Sequence, residues 1–397
     1  MGEPHAQVRT VRRPELDVIR LVVVLGLVFF HASLVFDARD DFYVKNPETT
    51  DVTTIIAGLC VVWAMPALFL ISGVGTWYSL RRRGPRGLAA ERLLRLGVPL
   101  LFAILTILPS PQWLRLRAAD PGYDDSYLQF LGEFYDVHFS LGDFPFLVRG
   151  EQFETGHLWF VVLLLAFTLM VTAVATWVPL PWAGRARDAM AGAVARRGVI
   201  LLPAIPLAVI GALLGMEESF AGWSRWAYLL LFLYGMVLAG DDRFRTAVRR
   251  DAVPAAVIGV VLFGAAGIGF NATEGDAFLD MDAPSVLGRI AFGLAGWCWL
   301  VAILGLLDRE RPEPSVAGPE PGRRRRVFAY LGTAALPLYI LHQPIVVAVA
   351  YFVVGWSAPM VVKYLVIVVV SFVIMFAVYD LVVRRTRPTR FLFGIRA

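Results

Sequence analysis

Apolar runs long enough to cross a lipid bilayer recur from residue 17 to residue 383, and no other feature constrains the fold so strongly. A helix needs about 20 mostly apolar residues to cross a hydrocarbon core of about 30 Å, and it must satisfy every backbone polar group within itself. Ten stretches meet that need: roughly 17–37, 53–79, 93–109, 157–180, 198–216, 223–240, 253–271, 285–307, 327–350 and 359–383. Only 17% of the residues are charged, against about 25% in a soluble domain. The expected fold is therefore all-α and polytopic, with about ten transmembrane helices forming one integral membrane domain over residues 1–397. The first run follows a basic segment, as in a signal peptide. It lacks a small-residue cleavage site and further spans follow, so it reads as a retained helix.

Charge orients the bundle. Taken alternately, one set of connections comprises 1–16, 81–95, 182–197, 241–251, 308–326 and the tail 384–397; with Arg20 it holds 29 of the 37 Lys and Arg residues. The other set, 40–51, 110–156, 217–218 and 271–282, holds five when Arg39 is counted, together with most of the acids. Basic residues concentrate in cytoplasmic connections. The N- and C-termini are thus expected in the cytoplasm, with 110–156 as a long extracytoplasmic loop. The Pro- and Arg-rich link 308–326 reads as a flexible cytoplasmic connection.

Several function classes drop out. The net charge of +5 is spread over many connections rather than gathered on one soluble face, so nucleic acid is not an expected partner. Cys60 and Cys298 lie in apolar runs without C-x-x-C spacing, which suggests neither a metal centre nor a disulfide framework.

An ionisable group inside a span is costly and is a functional candidate by default. The first span carries Asp17, Arg20 and His31, the fourth opens with His157 and the ninth carries His342. Arg225, Arg289 and Lys363 fall near span ends, where long side chains reach water. His31 follows Arg20 by eleven residues, about 16 Å along a helix. Arg20 is then near the inner surface, where a phosphate-bearing donor could be held. His31 is beyond mid-membrane, where an imidazole could act as general base on a substrate hydroxyl. A structural histidine bonded to a neighbouring helix would account for the same position. His342, fifteen residues into its span, falls near that depth and shares a face with Tyr339 at i, i+3. Gln343-Pro344 would loosen the helix there, as the edge of a polar site or as a packing kink.

Arg92 and Arg95 also share a face, suited to holding phosphate by charge-assisted hydrogen bonds, beside an Arg81–Arg86 run that reads as a topology signal. The loop 110–156 mixes ten aromatics with acids such as Asp120, Asp124 and Glu133. Such a surface fits a carbohydrate or an interfacial amphipathic segment.

Taken in order, these residues resemble the family 3 membrane acyltransferases, which O-acylate extracytoplasmic glycans and some small molecules. Arg20-x10-His31 is similar to the family's first-helix signature and Phe69-Leu70-Ile71-Ser72-Gly73 to its second-helix F-x-x-S-G. Arg92-x-x-Arg95 resembles the R-x-x-R at the third helix, and Leu338-Tyr339-x-x-His342 a late Y-x-x-H. His157-Leu158-Trp159-Phe160 resembles the H-L-W-F of the branch near the periplasmic glucan succinyltransferases. The resemblance implies transfer of an acyl group, acetyl or succinyl, from cytoplasmic acyl-CoA to a hydroxyl of an extracytoplasmic glycan or small-molecule acceptor. It implies His31 and Arg20 as catalytic residues, and Arg92 and Arg95 as contacts to coenzyme A. His157, Trp159, Tyr339 and His342 become the candidate contacts to the acceptor, and no metal is expected. The setting it implies is multi-pass insertion in a cell membrane, of the bacterial inner or cytoplasmic kind. The alternative is a secondary transporter or exporter of a glycan or metabolite. That reading predicts internal repeats and paired broken helices; the sequence shows one candidate break and no repeat.

Overall fold

The structure, a computed structural model, describes residues 13–177, 180–308 and 322–395. The start of the N-terminal segment, most of the 308–326 link and the last two residues of the tail lie outside the described residues. The first helices are α1 (Pro14–Leu34), α2 (Val52–Val61) and α3 (Ala64–Arg92), followed by a π turn (Leu93–Gly97) and α4 (Val98–Thr106). Next come α5 (Pro109–Ala119), α6 (Tyr127–Phe134), a two-residue-per-strand hairpin, α7 (Trp159–Ala175) and α8 (Leu180–Ala193). α9 (Ala204–Leu214), α10 (Arg225–Leu238), α11 (Asp242–Arg250), α12 (Ala252–Asn271) and α13 (Ala283–Leu307) lead to α14 (Arg323–Val353), α15 (Met360–Val378) and α16 (Arg387–Leu392).

Among the described residues, seven helical stretches are long and apolar enough to cross a membrane: Pro14–Leu34, Val52–Ala119, Gly156–Ala175, Ala252–Asn271, Ala283–Leu307, Arg325–Val353 and Met360–Val383. Three differences from the ten expected spans have physical causes. The second span is not one helix, because the chain breaks at Val62–Trp63 between α2 and α3. α3 then runs on to Arg92, past Gly84, whose φ of 69° kinks the helix before Pro85. The stretches at 198–216 and 223–240 yield helices of only 11 and 14 residues. At 1.5 Å per residue these are about 16 and 21 Å long, short of a hydrocarbon core.

α12 turns Val253, Val257, Val260 and Val261 outward, as a lipid-facing helix does. Nor do the three cations near span ends extend to water. Arg289 and Lys363 are buried; Arg289 donates to the Ala277 carbonyl, and Lys363 donates to Asn46 Oδ1 at 3.0 Å and the Val354 carbonyl at 2.7 Å. Arg225 is paired with Glu217.

The centre is built by α1 against α14 and α3, and by α3 against α7 and α10. A Cβ on Gly73 would lie 1.9 Å from the Phe232 carbonyl oxygen, and one on Gly235 1.9 Å from that of Leu70. Backbones this close leave no room for a side chain, so the glycine of Phe69-x-x-Ser72-Gly73 is a packing requirement of the α3–α10 crossing. The outer loop uses its aromatics as its own core. Phe130 and Phe134 are fully buried, Trp113 packs on Tyr127, and Ser126 and Gln129 form a capping box on α6.

Candidate functional site

Three of the five histidines in the sequence converge. His31 stands in the last turn of α1, His342 inside α14, and His157 in the 3-10 turn that leads into α7. Ring centroids lie 5.0 Å apart for His31 and His342, and 4.8 Å apart for His157 and His342. Phe30 and Phe42 flank the His31 ring.

Pro344 explains why His157 is here. It has no N–H to give to the Ile340 carbonyl four residues earlier, and that carbonyl accepts instead from His157 Nε2 at 3.0 Å. The expected loosening does not occur: α14 continues through Pro337 and Pro344 to Val353. Gln343 Oε1 accepts the His157 N–H at 2.9 Å, and the Tyr339 hydroxyl donates to the His157 carbonyl. One turn of α14 therefore grips both backbone groups and the ring of His157.

These bonds fix tautomers, because a carbonyl only accepts. His157 carries its proton on Nε2 and His342 carries one on Nδ1, which lies 2.6 Å from the Tyr339 carbonyl. The remaining nitrogens, Nδ1 of His157 and Nε2 of His342, are buried and find no partner among the described residues; the same holds for Nδ1 of His31. Each imidazole thus presents a free nitrogen in a compact cluster. Among the described residues, no group of three His, Cys, Asp or Glu side chains is spaced to hold a metal ion.

The connection after α1 roofs this cluster. Phe42 is buried over His31, the Tyr43 hydroxyl donates to Glu154, and Lys45 Nζ donates to the carbonyls of Leu34 and Asp40, both at 2.8 Å. Burial pushes the Asp40 carboxyl up to about 6, with Lys45 pulling the other way, and raises that of Glu154 above its ordinary value.

One cavity reaches Tyr339, which packs on His157 and His342, and a second reaches the cluster itself. The first, of about 1150 Å³, is lined by eight arginines, among them Arg20, Arg92 and Arg95, and by three acids. Glu91 holds part of this wall: its carboxylate is 3.7 Å from Arg92 Nε, 3.7 Å from Arg95 Nη1 and 3.8 Å from Arg83 Nη1. Arg20 Nη2 is 3.2 Å from Asp17 Oδ1. The second cavity, of about 550 Å³, is lined by His31, His157, His342, Trp159 and carbon-rich neighbours. Tyr339 lines both.

Trp159 joins Phe69, Tyr228 and Phe220 in an aromatic stack at centroid distances of 5.3 to 6.2 Å. All eight site residues expected from the sequence therefore line one cavity or the other. Sequence reasoning missed Gln343 as a clamp on His157 and Glu91 as the hub of the arginines. Gln343 stands four residues after Tyr339, on the same face of the helix, which was the available signal.

No curated protein and no solved structure matches the chain. The family model described as an acyltransferase domain, that of acyltransferase family 3, matches residues 13–380. The match runs from the start of α1 to just past the end of α15 and so takes in all eight expected site residues, and the chain belongs to the family 3 acyltransferases.

Proposed function

We propose that this acyltransferase takes an acyl group, acetyl or succinyl, from acyl-CoA held in the arginine-lined cavity and moves it to a hydroxyl of an extracytoplasmic glycan or related acceptor. The carrying observation is that the basic cavity and the three-imidazole cavity meet at Tyr339. Arg92 and Arg95 present forked donors to the phosphates of the coenzyme, and Arg20, one turn into the same wall, aligns it. The thioester then lies by Tyr339. His31 takes the proton of the acceptor hydroxyl as its oxygen attacks the thioester carbonyl. The C–S bond breaks, and the imidazolium returns the proton to the departing thiolate. Holding both reactants in one enclosed site supplies much of the rate.

A transporter would call for paired broken helices, whereas α14 runs unbroken and the matching family is one of acyltransferases. In the proposed orientation the basic cavity opens to the cytoplasm and both termini lie there. Single cysteines at Ser126 and Asp276 should label from outside and one at Arg187 from inside; Ser126 and Arg187 on one side would overturn that orientation. The reaction is tested with purified protein and labelled acetyl-CoA and succinyl-CoA, following coenzyme release and ester formation together. Absence of both coenzyme binding and thioester turnover would refute it.

A further inference from the structure

We propose that the acceptor is an amphiphile, an alcohol with a hydrocarbon chain that enters from the bilayer and lies in the apolar cavity with its hydroxyl at His31. This rests on the acyltransferase reading and names the substrate class of the same site. Transfer needs two substrates at the imidazoles, and the arginine-lined cavity is the donor's. The other route to His31 is the 550 Å³ cavity, far larger than an acetyl group and with a wall that exposes almost only carbon.

Its rim faces sideways. Val22, Phe29, Ile56 and Val361, from α1, α2 and α15, line it and are 55%, 47%, 51% and 66% exposed. Exposed side chains of this kind on spanning helices meet lipid, so the cavity is continuous with the bilayer. On the aqueous outer side the buried Phe42 ring stacks on His31. A fully hydrated sugar would have to shed its water to reach the imidazoles through such a wall. A hydroxyl on an alkyl chain arrives already in an apolar medium. The chemical balance is unchanged: the alcohol O–H proton passes to His31, the C–O ester bond forms, the C–S bond breaks, and the thiolate leaves as the protonated thiol.

Gly26 supplies the test. It lines the cavity, and a Cβ built there meets nothing within 4 Å, so Gly26→Phe starts in open space and sends its ring toward the space proposed for the chain. The full chain in nanodiscs is given labelled acetyl-CoA and two acceptor series, 1-alkanols and alkyl β-glucosides, each from methyl to hexadecyl. Gly26→Ala controls for folding, and coenzyme affinity reports on the untouched basic cavity. The parent should esterify the long-chain members. Gly26→Phe should lose about tenfold or more on long chains, with changes under about twofold on the shortest acceptors and on coenzyme affinity. Coenzyme release with no chain-bearing ester, or an equal effect of Gly26→Phe on short and long acceptors, overturns the proposal and leaves the acyltransferase reading standing. With palmitoyl-CoA assayed beside acetyl-CoA, a loss confined to the long-chain donor also overturns it, by giving the cavity to the donor chain. Only a parent that neither binds coenzyme A nor turns over thioester would defeat the underlying reading.

Discussion

The two cavities that meet at Tyr339 are organised by opposite means. In the basic one, long guanidinium side chains gather around Glu91 at 3.7 to 3.8 Å. Charge acts there over distance and tolerates motion of flexible stems. In the apolar one, the rings of His157 and His342 are each tied to a single carbonyl, and the three rings pack on one another. Such bonds are short-ranged and directional. A site of the first kind suits tight holding of an anion. One of the second kind suits placing a particular nitrogen lone pair. On the proposed reading, damage to the first should appear in affinity and damage to the second in rate.

The largest expected effect is at His31. His31→Asn keeps some hydrogen bonding but takes no proton near neutral pH, so single-turnover transfer should slow by about 10² to 10⁴ with donor affinity intact. Transfer at the parent rate by a folded variant would break the division and make His342 the next base to examine. Arg92→Lys and Arg95→Lys should act in the complementary sense. Each removes forked geometry but keeps charge, and coenzyme affinity should fall about tenfold per substitution, with the rate at saturating donor unchanged. Undiminished affinity in both variants would remove the arginines from donor binding.

Pro344→Ala sharpens the comparison further. It returns an N–H to the Ile340 carbonyl and so competes with His157 Nε2. The transfer rate should drop severalfold while thermal stability holds or rises, since an interior proline costs a helix about 3 kcal/mol. A rate that tracks stability would mean the proline is only a packing feature.

The smallest effect concerns the roof. With its carboxyl pushed up to about 6, folded Asp40 binds more protons than the unfolded chain at intermediate pH, so its contribution weakens as pH rises from about 4 through 6. Asp40→Asn should flatten that part of the pH–melting curve and stabilise the protein at pH 7, by well under the roughly 3 kcal/mol of an unscreened shift. A parallel curve for the variant would show that Asp40 is solvated.

Much of this is legible in the sequence. Counting along two helices from one surface put His31 and His342 at a similar depth, and their rings lie 5.0 Å apart. Arg20, Arg92 and Arg95 were readable as one basic wall because charge next to apolar runs has few places to go. His157 was readable as an ionisable group opening the fourth span and by motif, but its place beside the other two was not. It is delivered by a 3-10 turn at the end of a 47-residue loop, a placement that depends on tertiary packing. Gln343-Pro344 was misread as a weak point because the fate of a released carbonyl depends on which donor reaches it, and that donor, His157 Nε2, is 183 residues away. The span count differed for another reason. Hydropathy sums over residues and does not register a break such as Val62–Trp63, nor the short helices α9 and α10.

The position of Tyr339 between the two cavities bears on the energetics of the membrane itself. In the proposed reaction the hydroxyl proton departs on one side of this residue and ends on the coenzyme sulfur on the other, against the direction of the acyl group. Hydrogen and acyl thus change places, and with a neutral acetyl group each turnover moves no net charge through the bilayer's electric field. A succinyl group instead carries its carboxylate outward, and since a full crossing is worth about 2.3 kcal/mol per charge per 100 mV, an energised membrane, negative inside, would favour succinyl transfer in proportion to the depth that Tyr339 occupies.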